Sequence, residues 1–321
     1  MNAIIDKDGW SVLMWAAYKG NIDVAKLLLD KGADINGKTS NGISPLMIAS
    51  ELGHKDVVRL LIEKGADVNA NAANGITALL QASSKGRTEV VKLLLEKGAD
   101  VNTKNTTDGT TALMLSAGKG YTDVVKLLLG KGVDVNANTT TTNTTALLAA
   151  SQNGQAEVVK LLLGKGADVN GKTSNGKSAL MLASEFGHTE VVKLILDKGV
   201  DVNVKTTNDS MTALWMASYM GHAEVVKILL EKGADVNTDI TQDTPPGFII
   251  VNTDPNAKTT NGPTALMAAC QNGHKQVVKL LLDYGADVNA RSKNGEKALI
   301  LSRVHGHMDI AELLRKAGAK E

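Results

Sequence analysis

Apolar residues in this chain fall into two short blocks that return together. Within residues 38–70 the first block is Leu46-Met47-Ile48-Ala49, and the second is Val57-Val58 followed by Leu60-Leu61-Ile62. The first block predicts a short helix. Ser44 is placed to cap it, Pro45 stands at its first helical position, and Gly53 ends it. The second predicts another helix from Lys55-Asp56, with an acid at the positive end of the dipole and Lys64 near the negative end. Gly65 supplies a left-handed stop. Residues from Asp67 to Gly75 carry the Asp, Asn and Gly of tight turns. The unit is therefore helix, turn, helix and an extended finger. Each helix has about two turns, too few to be stable alone in water, so its apolar face must be covered by its partner and by neighbouring units.

The same unit recurs. Gly-Ala-Asp-Val-Asn, with small variations, starts at Gly32, Gly65, Gly98, Gly132, Gly166, Gly199, Gly233 and Gly285, and breaks down at Gly318-Ala319-Lys320. The spacings are 33, 33, 34, 34, 33, 34, 52 and 33 residues. Such a period predicts stacked supersecondary units in an all-α solenoid, whose stability adds up from repeats and their interfaces. The expected units are residues 1–37, 38–70, 71–103, 104–137, 138–171, 172–204, 205–238, 258–290 and 291–321. An insertion at 239–257 extends one finger.

Each first helix opens on a related motif: Ser44-Pro45-Leu46-Met47-Ile48-Ala49, Thr77-Ala78-Leu79-Leu80, Thr111-Ala112-Leu113-Met114, Thr145-Ala146-Leu147-Leu148, Ser178-Ala179-Leu180-Met181, Thr212-Ala213-Leu214-Trp215 and Thr264-Ala265-Leu266-Met267. With the Val-Val-Lys-Leu-Leu-Leu second helix, this resembles the ankyrin repeat family over nearly the whole chain. The resemblance implies a stack of helix-turn-helix units with β-turn or hairpin fingers, binding proteins on a concave finger-and-helix surface. The family's motif His is replaced by apolar residues throughout, so its hydrogen bonds are expected to be missing. The family's finger Asp survives as Asp6, and Thr39, Ala72, Thr106, Thr140, Thr173, Thr207, Thr259 and Ser292 are read as its counterparts. Less acidic fingers argue against a cation-binding groove.

Composition adds mainly exclusions. Only 3% of the 321 residues are aromatic, so the core is aliphatic, and 35 basic against 34 acidic side chains leave a net charge of +1. That balance provides no broad field for nucleic acid. No apolar run reaches the roughly 18 residues of a membrane span. One cysteine, Cys270, rules out an internal disulfide framework, and no secretory signal is visible. A cytoplasmic protein is expected, with a secreted effector lacking a visible signal as the alternative.

No phosphate loop, dinucleotide fingerprint, zinc-protease motif or nucleophile elbow appears. His54, His188, His222, His274 and His307 occupy one turn position in their repeats, which predicts a structural role. Lys26, Arg59, Lys92, Lys126, Lys160, Lys193, Lys227 and Lys279 form a solvated row, most with an acid three residues earlier. The expectation is a non-enzyme without cofactor or metal. At the C-terminal end, Arg303 replaces the small residues Ser50, Ser83, Ala117, Ser151, Ser184, Ser218 and Cys270, as a cap would. At the other end Trp10, Met14, Trp15 and Tyr18 either close the core or form a contact surface.

Positions that escape the repeat point to function. Phe186, Met211, Tyr219 and Met220 gather in repeats six and seven, just before an insertion containing Phe248 and Ile249. Trp10, Tyr18, Ile43 and Leu52 form a second group. Aromatic and Met enrichment at variable positions is the mark of an interface centre. The expected function is a protein–protein interaction scaffold, a monomer whose partner sits around repeats six to eight. The alternative is a self-associating module that dimerises or folds back through the insertion.

Overall fold

A computed structural model of the chain describes residues 7–241, 262–293 and 295–320. Eighteen α-helices appear among them, in nine consecutive pairs. The pairs are α1 Val12–Lys19 with α2 Ile22–Asp30, α3 Pro45–Leu52 with α4 Lys55–Glu63, and α5 Ala78–Ser84 with α6 Thr88–Glu96. Next come α7 Ala112–Lys119 with α8 Thr122–Gly130, α9 Ala146–Gln152 with α10 Ala156–Gly164, and α11 Ala179–Glu185 with α12 Thr189–Leu196. The last are α13 Ala213–Met220 with α14 Ala223–Glu231, α15 Ala265–Gln271 with α16 Lys275–Asp283, and α17 Ala298–Val304 with α18 Met308–Lys316. The chain divides into two compact units, Met1–Ala150 with Glu157–Asp168, and Ser151–Ala156 with Val169–Glu321. Each is a helical repeat stack, as the period predicts.

The caps explain why such short helices start where they do. The hydroxyls of Ser11, Ser44, Thr77, Thr111, Ser178, Thr212 and Thr264 each accept the backbone N–H three residues on. One otherwise orphaned donor is satisfied at each helix start. The second helices lack a side-chain cap in most pairs and rely on a first-turn acid, such as Asp56 or Glu224.

The Gly-Ala-Asp-Val-Asn motif does more than stop helices. Asp100 Oδ1 accepts the Asn102 N–H at 2.9 Å, closing a local turn. Asn69 reaches into the next repeat, where its Oδ1 accepts the Asp100 N–H at 2.9 Å and its Nδ2 donates to the Gly98 carbonyl at 3.1 Å. Asn136 in the first unit and Asn203 in the second repeat the same two bonds. The motif's terminal Asn is thus a stitch between repeats, a role its spacing alone did not reveal.

The turn histidines are a second stitch. Nε2–H donates to a carbonyl at the end of the preceding first helix: His54 to Tyr18 at 3.0 Å, and His222 to Glu185 at 3.0 Å. His274 and Tyr219, at 3.0 Å, repeat the arrangement. The ring lies against a glycine, and a Cβ at Gly187 or Gly221 would meet it at 2.6 or 2.5 Å. Arg87 replaces the imidazole in one repeat, its Nε donating to the Glu51 carbonyl at 2.9 Å.

The fingers shift the expected register. Among the described residues they carry isolated antiparallel bridges, such as Asn71 with Thr77 and Asp239 with Thr264. The base residue donates its N–H across the finger: Thr39 to Ile43, Ala72 to Ile76, Asn105 to Thr110, Thr139 to Thr144, Thr173 to Lys177 and Thr206 to Met211. Fingers in the 34-residue repeats hold the extra residue. Their base positions are therefore Asn105, Thr139 and Thr206, not Thr106, Thr140 and Thr207. A side-chain oxygen at the base accepts the returning N–H, as Thr39 Oγ1 does from Ile43 and Thr206 Oγ1 from Met211. That is why Thr, Ser and Asn recur there.

The finger that holds Ile240 follows the same pattern. Thr241 N–H donates to the Asp209 carbonyl, as Thr140 N–H does to Asp108, and Gly262 N–H returns to the buried Ile240. Asp239 to Thr241 therefore occupy ordinary finger positions. Ile240 holds the base position of this finger. Residues 242–261 lie outside the described part.

On the outer face, Asp123 and Lys126 form the expected i,i+3 pair at 3.7 Å. Shorter pairs instead join neighbouring repeats, among them Lys55–Glu89 at 2.7 Å and Lys64–Asp30 at 2.8 Å. They hold the Glu89 and Asp30 carboxyls below their ordinary range, through hydrogen bonds from Lys55 and Lys64. These exposed pairs contribute little to stability. Cys270 is fully buried, and burial pushes its thiol up, so it fills the small-residue slot. In the same slot Ser50, Ser83, Ser151, Ser184 and Ser218 have buried hydroxyls without a partner.

Candidate functional site

A groove of about 370 Å³ opens in the second unit between two fingers and the ends of two first helices. Asn175 and Lys177 come from one finger, Asp209 and Met211 from the next, Glu185 from the end of α11, and Trp215, Met216, Tyr219 and Met220 from α13. The sequence places them there by repeat geometry. The last residue of each finger and successive turns of each first helix face the same side.

Its floor is apolar and aromatic. Trp215 and Tyr219, one helical turn apart, stack with centroids 5.2 Å apart and planes at 11°. Trp215 is buried, and its Nε1–H donates to the Pro263 carbonyl at 3.1 Å, so its polar edge is satisfied. The carbonyl of Tyr219 is held by His274 Nε2 at 3.0 Å and Asn272 Nδ2 at 2.8 Å. His274 titrates below the ordinary histidine range, first because it is partly buried and then because His222 and His307 add positive charge. The hydrogen bond to Tyr219 opposes this.

The rim is polar. Lys177 Nζ and Glu185 Oε2 meet at 2.6 Å, and both side chains are mostly shielded from solvent. Asp209 stands on a strained turn: the next residue, Ser210, has φ +54°, the left-handed region that sister fingers fill with glycine, as at Gly42 and Gly109. The Thr206 hydroxyl donates to Asp209 Oδ1 and accepts the Met211 N–H at 2.9 Å.

Of the expected contact residues, the structure brings Met211, Tyr219 and Met220 into this groove. Met220 is 45% exposed and Tyr219 half-buried, but Met211 is only 8% exposed. Met211 is therefore wall rather than protruding anchor, because its amide is tied back to Thr206. Phe186 is 46% exposed but does not line the groove, and it stacks over His188 with centroids 6.2 Å apart. Phe248 and Ile249 lie outside the described residues. In the first unit Trp10, Trp15 and Tyr18 form one cluster, with centroids 5.3 to 6.0 Å apart. Ile43, which closes its finger onto Thr39, and Leu52, in the last turn of α3, are half-buried.

Sequence reasoning missed Trp215, Met216 and the charged rim. Trp215 stands where sister repeats have Met or Leu, and an aromatic at that position was the available signal. Asp209 was hidden by the extra residue in its finger.

Among the described residues no helix is long and apolar enough to cross a membrane. Nor, among the described residues, is any group of three or more His, Cys, Asp or Glu placed to hold a metal ion. The fold and the groove together define a helical repeat stack with a finger-and-helix surface.

Comparison with known proteins names the class. A family model described as ankyrin repeats (3 copies) matches residues 1–72, 69–139, 147–240 and 247–321. The chain belongs to the ankyrin repeat family, whose members are generally protein–protein interaction modules. It is similar to the crystal structure of the human ASB11 ankyrin repeat domain, with a TM-score of 0.65 and 26% identity. That match covers 70% of this chain and 99% of the other. A search of curated proteins returned no relative.

Proposed function

We propose that the chain is a non-catalytic scaffold that holds a protein partner in the groove between the fingers of Lys177 and Met211 and the helix α13. The observation that carries this reading is the gathering of three Met and two aromatic side chains on a finger-and-helix face. Of these, Met220 is exposed and Tyr219 half-buried, over buried Trp215, Met211 and Met216; aromatic and Met side chains inside a polar rim are what hot spots are made of. The volume suits one or two anchoring side chains. The reading keeps the nine-unit organisation, and it places the protein in the cytoplasm.

The test is a double substitution, Tyr219→Ala with Met220→Ala, in a capture experiment from the native cell. Partners retained by the wild-type chain should weaken by roughly thirtyfold or more, the worth of a hot-spot pair. The thermal midpoint should move by only a few degrees, since neither side chain is fully buried. Retention of every partner by the double variant would remove the groove from the account.

A further inference from the structure

We propose that the chain pairs with a second copy of itself through α2, the second helix of its first repeat, a surface separate from the groove. Of the ten large hydrophobic side chains exposed among the described residues, five belong to that repeat: Trp15, Tyr18, Ile22, Val24 and Leu27. The second repeat shows what such positions are shaped to meet. There Val57 and Leu61 are buried, with α4 lying against α2, whereas their counterparts Val24 and Leu28 are exposed and half-buried. Val24, Leu27 and Leu28 stand at i, i+3 and i+4, so they form one apolar stripe on α2 that fits another helix.

Charge decides which helix. Ion pairs join neighbouring repeats at two recurring positions of the second helices. Glu89 takes Lys55 from the preceding repeat at 2.7 Å, and Asp309 takes Lys275 at 2.8 Å. Lys64 takes Asp30 from the preceding repeat at 2.8 Å. In the first repeat the counterparts of Glu89 and Lys64 are Asp23 and Lys31, both exposed and neither in an ion pair among the described residues. So α2 offers an acid in its first turn and a base just past its last, with Leu27 midway between them. A second α2 running antiparallel brings the copy's Lys31 to Asp23 and the copy's Asp23 to Lys31, while Leu27 meets Leu27. Both ends are satisfied at once, as an isologous two-fold contact requires. It also sets opposite ends of the two helix dipoles side by side. The last repeat offers no such partner. There α18 carries Arg315 where α2, α4 and α16 have Leu29, Ile62 and Leu282, and Arg303 fills the small-residue slot. A copy presenting that end would set arginine against the apolar stripe and Lys31, so association stops at a dimer.

The test is sedimentation equilibrium of the full chain over a wide concentration range at low salt. The wild-type mass should climb from one chain to two and stop there. Leu27→Glu, at a side chain 59% exposed, should keep the chain monomeric throughout, with helicity and thermal midpoint unchanged. Asp23→Lys and Lys31→Asp should each weaken the dimer about fivefold or more, and the two together should recover most of the loss. A merely weakened helix would show no such recovery. Tyr219→Ala with Met220→Ala should leave the dimer intact, which keeps this surface distinguishable from the groove. The proposal is overturned by a wild-type chain that stays monomeric, by a mass that passes two chains, or by a dimer that survives Leu27→Glu. A combined swap no better than either single change, or a dimer lost with the two groove substitutions, overturns it as well.

Discussion

Trp10, Trp15 and Tyr18 in the first repeat stand at the same repeat positions as Met211, Met216 and Tyr219 in the seventh, yet the two sites are built differently. In the first, Tyr18 packs edge to face on both Trp10 and Trp15, and Lys19 covers Tyr18. In the second, Tyr219 is stacked on Trp215 beside a groove with a polar rim. A further contrast lies on the second helices. Val24 is 38% exposed, whereas its counterpart Val57 is 1% exposed. Leu27, beside it, is exposed as well. The first repeat is thus open to solvent at positions that the second repeat buries. Exposure there falls on residues that keep the repeat's own type. Exposure in the groove follows from residues that depart from the repeat, and this makes the groove the better functional candidate.

The largest effect expected from this contrast is on stability. Leu61→Ala, at a fully buried interior position, should cost about 2–5 kcal/mol in urea unfolding. The same change at its half-buried counterpart Leu28 should cost less than half as much. Equal costs would mean that the first repeat is packed like the others. Next, Trp215→Phe removes the N–H that satisfies the Pro263 carbonyl and should cost about 0.5–1.5 kcal/mol. Trp15→Phe, at an exposed ring, should cost less.

Ser210→Gly should stabilise the chain by about 1 kcal/mol, because glycine carries no penalty in the left-handed region. Asn143→Gly should gain less, since Asn tolerates that region better. A loss of stability in both would show that the side chains, not the backbone, matter at these turns. The pH dependence has a definite sign. Burial lowers the His274 pKa, so the folded value lies below the unfolded one. Its contribution is full above about pH 6.5 and is lost as pH falls through that range. His274→Gln should flatten the fall in stability between neutral and mildly acidic pH, measured by thermal unfolding. Smallest of all, Ser218→Ala should change stability by less than about 0.5 kcal/mol or raise it, because a partnerless buried hydroxyl is removed.

Much of the fold was legible because each level of the sequence agreed: period, caps, apolar faces and helix stops. Ser44, Pro45 and Gly53 delimit α3 as read, and Cys270 sits in the buried slot its sister residues implied. What escaped was geometry that depends on counting within loops. One extra residue in a finger moved the base from Thr207 to Thr206 and brought Asp209 to the rim. The inter-repeat role of the motif Asn was invisible because a hydrogen bond across about thirty residues leaves no local signature. The groove was half legible. Met211, Tyr219 and Met220 stood out as non-repeating, but the pairing of Lys177 with Glu185 and the stack of Trp215 on Tyr219 required the fold.

The chain's methionines offer the most direct test of the central claim, that the groove and not the exposed first repeat is the binding site. Three of its ten methionines, Met211, Met216 and Met220, line the groove, while Met14 lies in α1 and Met47 in α3. A methyl-labelled sample titrated with a partner retained in the capture experiment should show shifts at the three groove methyls and none at Met14 or Met47. Shifts centred on Met14, with the groove methyls unmoved, would contradict the account.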